Sequence, residues 1–157
     1  MSTTTDVVEN VAMASTDRSS GGSAASSVKH VLLILADDLG YGDLGYMGSE
    51  ISTPNIDHLA QQGVVFESFY VQRACSPTRA ALLTGRYNMR YGMQSGVLEE
   101  YNNYTLAPTE TLLPQVLKNS GFVSEAHAIG KWHLGYATWG KCLGGRGWTR
   151  EMRRVQL

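Results

Sequence analysis

Three short clusters hold the side chains best suited to chemistry in this sequence. The first is Cys75-Ser76-Pro77-Thr78-Arg79-Ala80-Ala81-Leu82-Leu83-Thr84-Gly85-Arg86. A Cys just ahead of a helix start has its thiolate favoured by the helix dipole and by Arg79, the setting of a reactive thiol. An isolated Cys is as often a small apolar core residue, and these residues alone leave both readings open. The second cluster is Asp37-Asp38. Adjacent carboxylates repel, so both stay ionised most cheaply around a divalent cation or a cationic side chain. Helix caps and solvated loop acids are the commoner use of such residues. The third is Lys131-Trp132-His133, two polar heads around an aromatic ring. By itself that pattern also describes a surface turn with a packed Trp.

Positioning these groups requires a scaffold, and the sequence reads as an α/β one. The run from His30 to Ala36 is apolar between polar residues, which suits a strand buried on both faces of a parallel sheet. Asp37 and Asp38 then sit at the C-terminal end of a strand, where open α/β sheets gather their sites. Thr53 to Gly63 carries helix punctuation at both ends: Thr53 as N-cap, Pro54 at the first position and Gly63 as stop, with Ile56, Leu59 and Ala60 on one face. Val64 to Val71, rich in β-branched and aromatic residues, predicts a second strand. A helix is expected after Cys75 with Gly85 as its end, then an extended loop from Gly92 to Pro108 with few apolar anchors. Another helix is expected from a Thr111 cap to Gly121, with Pro114 in its first turn. Phe122 to Ile129 reads as a further strand, interrupted by Glu125 and His127. Alternation of strands and helices points to a mainly parallel sheet flanked by helices.

Composition bounds the rest. The chain has 157 residues, enough for one domain with a real core, and a formal net charge of −1. That charge gives no reason to expect nucleic acid or an anionic membrane as partner. No apolar run is long enough for a membrane span. Two cysteines, Cys75 and Cys142, are too few for a disulfide framework and leave the redox compartment open. The Ser-, Thr-, Ala- and Gly-rich start lacks the basic and apolar blocks of a secretory signal, so residues 1–28 are expected to be an unfolded lead-in, with a transit peptide as the alternative. Residues 29–139 are taken as the domain and 140–157 as an atypical tail. Asn103-Tyr104-Thr105 is a glycosylation sequon, meaningful only in the secretory pathway.

The spacing Cys75-x-Pro77-x-Arg79, with its Ala-Leu-Leu-Thr-Gly-Arg continuation, resembles the signature of the type I sulfatase family, in which the Cys is oxidised to Cα-formylglycine. Val31 to Gly40 resembles that family's opening strand and metal loop, and Thr53 to Ala60 its next helix. Gly130-Lys131-Trp132-His133-Leu134-Gly135 resembles its second signature. Four motifs stand in family order over roughly residues 29–136. Gly85 to Gln94 and Leu112 to Gln115 are most similar to the arylsulfatase B-like subgroup, whose substrates include sulfated glycosaminoglycans.

The resemblance implies an alkaline phosphatase-like fold and hydrolysis of sulfate esters, of aryl sulfates or of sulfated sugars. It implies one divalent metal, Ca²⁺, on Asp37, Asp38 and the modified Cys75, and a formylglycine-generating enzyme as maturation partner. Cys75 would be the nucleophile, Arg79 would hold the hydrated aldehyde, and Lys131 and His133 would contact sulfate and the formylglycine hydroxyls. A hydrated aldehyde suits such chemistry because it carries two hydroxyls on one carbon. One attacks sulfur and displaces the alcohol, forming a covalent sulfate ester; the other then loses its proton as the carbon collapses to aldehyde and expels sulfate.

The pattern also breaks. Family members are considerably longer, and Asp37, Asp38 and one formylglycine oxygen are too few for an ion that takes about 6 to 8 oxygens. The approach to Lys131 carries two residues more than the family's, with Glu125 and Ala126 as the surplus. Thr149 to Leu157 resembles nothing in the family. The expectation is therefore an incomplete N-terminal domain with open sheet edges and exposed apolar surface. The alternative to an active hydrolase is a catalytically inactive fragment or pseudoenzyme of the same fold. Phosphate ester hydrolysis on the related fold would call for Ser or Thr where Cys75 stands.

Overall fold

Two strands occur among the described residues, Val11–Ala14 (β1) and Leu32–Leu35 (β2), and they pair antiparallel, with Val11 opposite Leu35 and Ala14 opposite Leu32. The computed structural model describes residues 11–14, 30–99 and 103–135. The strand expected at His30–Ala36 is thus present, but its partner comes from the segment expected to be an unfolded lead-in. Its burial differs as well. Leu32 and Ile34 are 57% and 48% exposed while Leu33 and Leu35 are half-buried. A continuous apolar run does not reveal whether both faces are covered, and here one face is open. The only sheet among the described residues is this antiparallel pair, so the expected parallel sheet is not found within them.

The described residues group into two compact units, divided between Arg73 and Ala74. In the first, Pro54–Gln62 form a helix (α1), with Pro54 at its start, where a missing N–H costs little. Thr53 occupies the N-cap position but does not cap through its side chain. Its hydroxyl instead donates to Asp57 Oδ1 at 2.7 Å and accepts from the Gly45 N–H at 2.8 Å. Asp57 Oδ1 also accepts from the Tyr46 N–H at 3.1 Å, so α1 is tied to the 3-10 turn Gly45–Met47. A Cβ at Gly45 would meet Asp57 Oδ2 at 2.5 Å, so a larger residue there would push the carboxylate out of these bonds. Val64 to Val71 is not a strand. Val64, Phe66 and Tyr70 are 81%, 72% and 88% exposed, and β-favouring side chains form a strand only where a neighbouring strand and a covering layer receive them.

In the second unit Cys75–Thr84 form a helix (α2) that ends at Gly85 in the left-handed conformation, φ 64°, with the Gly85 N–H on the Ala81 carbonyl at 2.9 Å. That is the C-terminus the sequence predicts. A 3-10 turn follows at Asn88–Tyr91. Leu113–Asn119 form a third helix (α3), entered from Leu112 rather than Thr111; the Leu112 N–H is satisfied by Gln115 Oε1 at 2.8 Å. Phe122 to Ile129 is irregular, with Ile129 88% exposed and His127 paired to Glu125 at the surface. The core is built from Ala80 of α2, Leu112 beside α3, Met93 and Leu106 of the connecting loop, and Trp132 and Leu134 of the last described segment. The loop from Gly92 to Pro108 is therefore better anchored than its sequence suggests.

Candidate active site

Cys75 is the first residue of α2, preceded by an extended Ala74. The first turn behind it is closed by local bonds: the Thr78 N–H and hydroxyl both reach the Ala74 carbonyl, at 3.2 and 2.8 Å. Ser76, Pro77, Thr78, Arg79 and Ala80 are all buried, while Cys75 stays half-buried and holds no disulfide. Pro77 belongs to this first turn, where a proline leaves no needed donor missing. Ser76 Oγ accepts the Leu98 N–H at 3.0 Å, so the loop after the 3-10 turn is tied to the same helix start.

Arg79 lies one turn further along α2 and is 8% exposed. Its Nη1 donates to the Lys131 carbonyl at 2.7 Å, a charge-assisted bond in a nearly dry setting. From that fixed backbone the Lys131 side chain returns to the helix start, and its Nζ lies 3.4 Å from Cys75 Sγ. An ammonium group and a helix N-terminus together favour negative charge at position 75 and on any anion brought beside it. His133 follows two residues later, half-buried, with φ 54°, in the left-handed region that a side chain enters only under local constraint. Trp132 between them is a core residue, and its Nε1 donates to the Gly135 carbonyl at 3.0 Å.

Cys75, Arg79 and Lys131 are thus in one place, linked by bonds spanning more than fifty residues of sequence. Asp37 and Asp38 belong to the first unit. They are exposed and follow the C-terminal end of β2, with Asp38 at φ 57°. Their carboxylates are hard oxygen donors of the kind Ca²⁺ prefers. His30, His58 and His127, to which the resemblance assigns no role, are all exposed.

Several supporting residues are given no role at the site by the sequence. Thr105 and Leu106 bind the Leu134 carbonyl, through the Thr105 hydroxyl at 2.9 Å and the Leu106 N–H at 3.0 Å. Arg86 Nη1 reaches both carboxylate oxygens of Glu110, at 2.7 and 2.5 Å. The Tyr91 hydroxyl meets the Thr84 hydroxyl at 3.2 Å and the Arg86 carbonyl at 3.3 Å. Burial pushes the Tyr91 phenol above its ordinary value, against the lowering effect of the Thr84 hydrogen bond. Met93, Leu98 and Leu106 are the available signal, large apolar side chains spaced along a loop rich in polar residues.

Residues 29–150 match the family model described as Sulfatase. The chain is similar to arylsulfatase A of Bos taurus, 48% identical over 124 residues, covering 78% of this chain and 24% of that protein. It is also similar to arylsulfatase J of Mus musculus, 42% identical over 120 residues, 76% of this chain and 20% of the relative. N-acetylgalactosamine-6-sulfatase of Homo sapiens is 43% identical over 125 residues, 74% of this chain and 24% of its own length. Among solved structures, that of Ps i-CgsB superposes with a TM-score of 0.65 at 38% identity, over 71% of this chain and 25% of that one. Its complex with k-i-k-neocarrahexaose gives 0.63 at 37%, with the same coverage. The chain spans a quarter or less of the length of these proteins.

Proposed function

Since the chain belongs to the sulfatase family, we propose that it carries the nucleophile-bearing part of a sulfuric ester hydrolase of the arylsulfatase type, with Cys75 as the precursor of a formylglycine. The observation that carries this reading is the approach of Lys131 Nζ to within 3.4 Å of Cys75 Sγ, with Arg79 fixing the Lys131 backbone. A thiol used only for packing has no need of an ammonium group beside it.

Formylglycine supplies, as its hydrate, two hydroxyls on one carbon: a nucleophile and the means to release sulfate. The remaining work falls to the side chains of this chain. Lys131 offers its ammonium to a sulfate oxygen and offsets charge that grows there during displacement. His133 offers a ring nitrogen to hold or pass a proton at a hydroxyl of residue 75. Arg79 orients both partners, through the helix turn it belongs to and through the Lys131 carbonyl. Asp37, Asp38 and the modified residue 75 would hold a Ca²⁺ ion, which lowers the cost of bringing a sulfate monoanion to the site. Their oxygen donors fit that ion in kind, and further ligands or water would complete its shell.

The substrate class is a sulfate ester, either an aryl sulfate or a sulfated sugar, in line with the names of the arylsulfatases and the N-acetylgalactosamine-6-sulfatase among its relatives. The complex of Ps i-CgsB with a neocarrahexaose favours the sugar. Gly85 to Gln94 and Leu112 to Gln115 support the arylsulfatase B-like subgroup. Sulfatases have the alkaline phosphatase-like fold, and the parallel sheet of that fold is part of the proposal. Maturation requires a formylglycine-generating enzyme as partner.

A second reading, a chain of this fold that is inactive by itself, is favoured by its exposed apolar surface, with Phe66, Tyr70 and Ile129 at 72%, 88% and 88%. Hydrolysis of an aryl sulfate by protein produced together with the maturation enzyme decides between them. Turnover that disappears in Cys75→Ala supports the hydrolase. Turnover that survives that change refutes the nucleophile, and a converted Cys75 without turnover supports the second reading.

A further inference from the structure

We infer that Thr105 is a positioning residue whose buried hydroxyl holds the Lys131–His133 segment over the start of α2; its catalytic meaning rests on the function proposed above. The segment from Lys131 to Gly135 is a tight loop pinned at both ends. At one end Arg79 Nη1 holds the Lys131 carbonyl at 2.7 Å. At the other the Leu134 carbonyl accepts two bonds, from Thr105 Oγ1 at 2.9 Å and from the Leu106 N–H at 3.0 Å.

The second anchorage is close-packed. Thr105 is 8% exposed, and a Cβ at Gly135, where φ is 82°, would lie 2.7 Å from both Thr105 Cα and Thr105 Cβ. The two backbones therefore approach as nearly as they can, with glycine at the one position that permits it. Inside the loop the Trp132 Nε1 bond to the Gly135 carbonyl, 3.0 Å, opposes relaxation by simple extension. His133 is held at φ 54°, a conformation that persists when surrounding contacts over-determine it.

The Thr105 hydroxyl supplies one of the two bonds at the Leu134 carbonyl, beside that of the Leu106 N–H, and its loss loosens the far end of the loop whose near end carries the ammonium to residue 75. Two anchors fix its direction. Thr105 belongs to neither of the two signature segments and is not a residue of the reacting centre. It acts through the Leu134 carbonyl.

The test uses the whole chain produced in a host that does not glycosylate Asn103, with Cys75 as the unmodified thiol and a short amine–thiol cross-linker, the Lys131–Cys75 product being quantified by peptide mass spectrometry. Thr105→Val removes the hydroxyl at nearly constant volume and is expected to lower that yield about three- to tenfold, the shift a lost hydrogen bond of ordinary worth produces. Thr105→Ser restores the hydroxyl and the yield. Gly135→Ala, which pushes on the same contact from the other side, lowers it too. Wild-type yield in Thr105→Val overturns the inference, as does a Thr105→Ser variant as low as Thr105→Val. Should Thr105→Val lose its helical circular dichroism, the comparison passes to Thr105→Ser against Gly135→Ala, and equal yields in those two overturn it. The reagent reads a distance and needs neither conversion of Cys75 nor turnover. A chain unable to hydrolyse sulfate esters therefore leaves this result standing.

Discussion

Arg79 donates to the Lys131 carbonyl at 2.7 Å, so the helix that begins at Cys75 also fixes the backbone of the residue whose ammonium lies 3.4 Å from the Cys75 sulfur. The bond makes Arg79 part of the frame as well as of the charge at the site. Replacing it by Met keeps the length of the stem and loses a charge-assisted bond. Arg79→Met is expected to cost about 2–3 kcal/mol of stability, read as a shift in the urea midpoint at unchanged slope. Arg79→Lys cannot reproduce the planar fork and recovers part of the loss at most.

The core of the second unit supplies a paired test. Leu106 is fully buried although it sits in a loop, whereas Val116 of α3 is 52% exposed. Leu106→Ala is expected to destabilise by about 2–5 kcal/mol, and Val116→Ala by less than about 0.5 kcal/mol. Equal effects in chemical denaturation would place Leu106 outside the core.

Tyr91 gives an alkaline signature. Burial, aided by Glu110, pushes its phenol above 10.0, against Thr84 and Arg86, which lower it. The folded chain therefore keeps the Tyr91 proton to higher pH than the unfolded chain does. The stability this contributes is complete below the unfolded value near 10.0 and is lost as pH rises through the folded one. Denaturant midpoints measured upward from pH 9 should fall more steeply for the wild type than for Tyr91→Phe. Parallel curves would contradict the burial.

Ca²⁺ binding to the chain should be weak, with a Kd on the order of 10⁻³ M or above, because two carboxylates supply a small part of a shell of about 6 to 8 oxygens. Asp37→Asn and Asp38→Asn should each weaken it further in a calorimetric titration. A titration unaffected by either change would remove these residues from the metal site.

What is legible in the sequence, and what is not, follows from the range of the interactions. α2 is readable because Ala80, Ala81, Leu82 and Leu83 favour a helix and Gly85 ends it, all within one segment. The start of α1 is readable as a position, but the Thr53 hydroxyl turns to Asp57 and Gly45, partners that local capping preferences do not foresee. Val64 to Val71 misleads because β-propensity describes a surface waiting for a partner, and no strand receives it among the described residues. The left-handed turns at Asp38 and His133 leave no mark, since neither residue is glycine. The proximity of Cys75, Arg79 and Lys131, the residues of the proposed site, is foreshadowed by motif spacing, which singles them out together. The bonds that join them cross more than fifty residues, and no periodicity reports such contacts.

That Cys75 is a precursor and not a finished side chain is tested most directly by mass spectrometry of the peptide containing it, from protein produced with and without a formylglycine-generating enzyme. The enzyme is expected to replace CH₂–SH by CHO at Cys75 and to leave Cys142 a thiol. An unmodified Cys75 thiol in the presence of an active maturation enzyme would contradict the assignment.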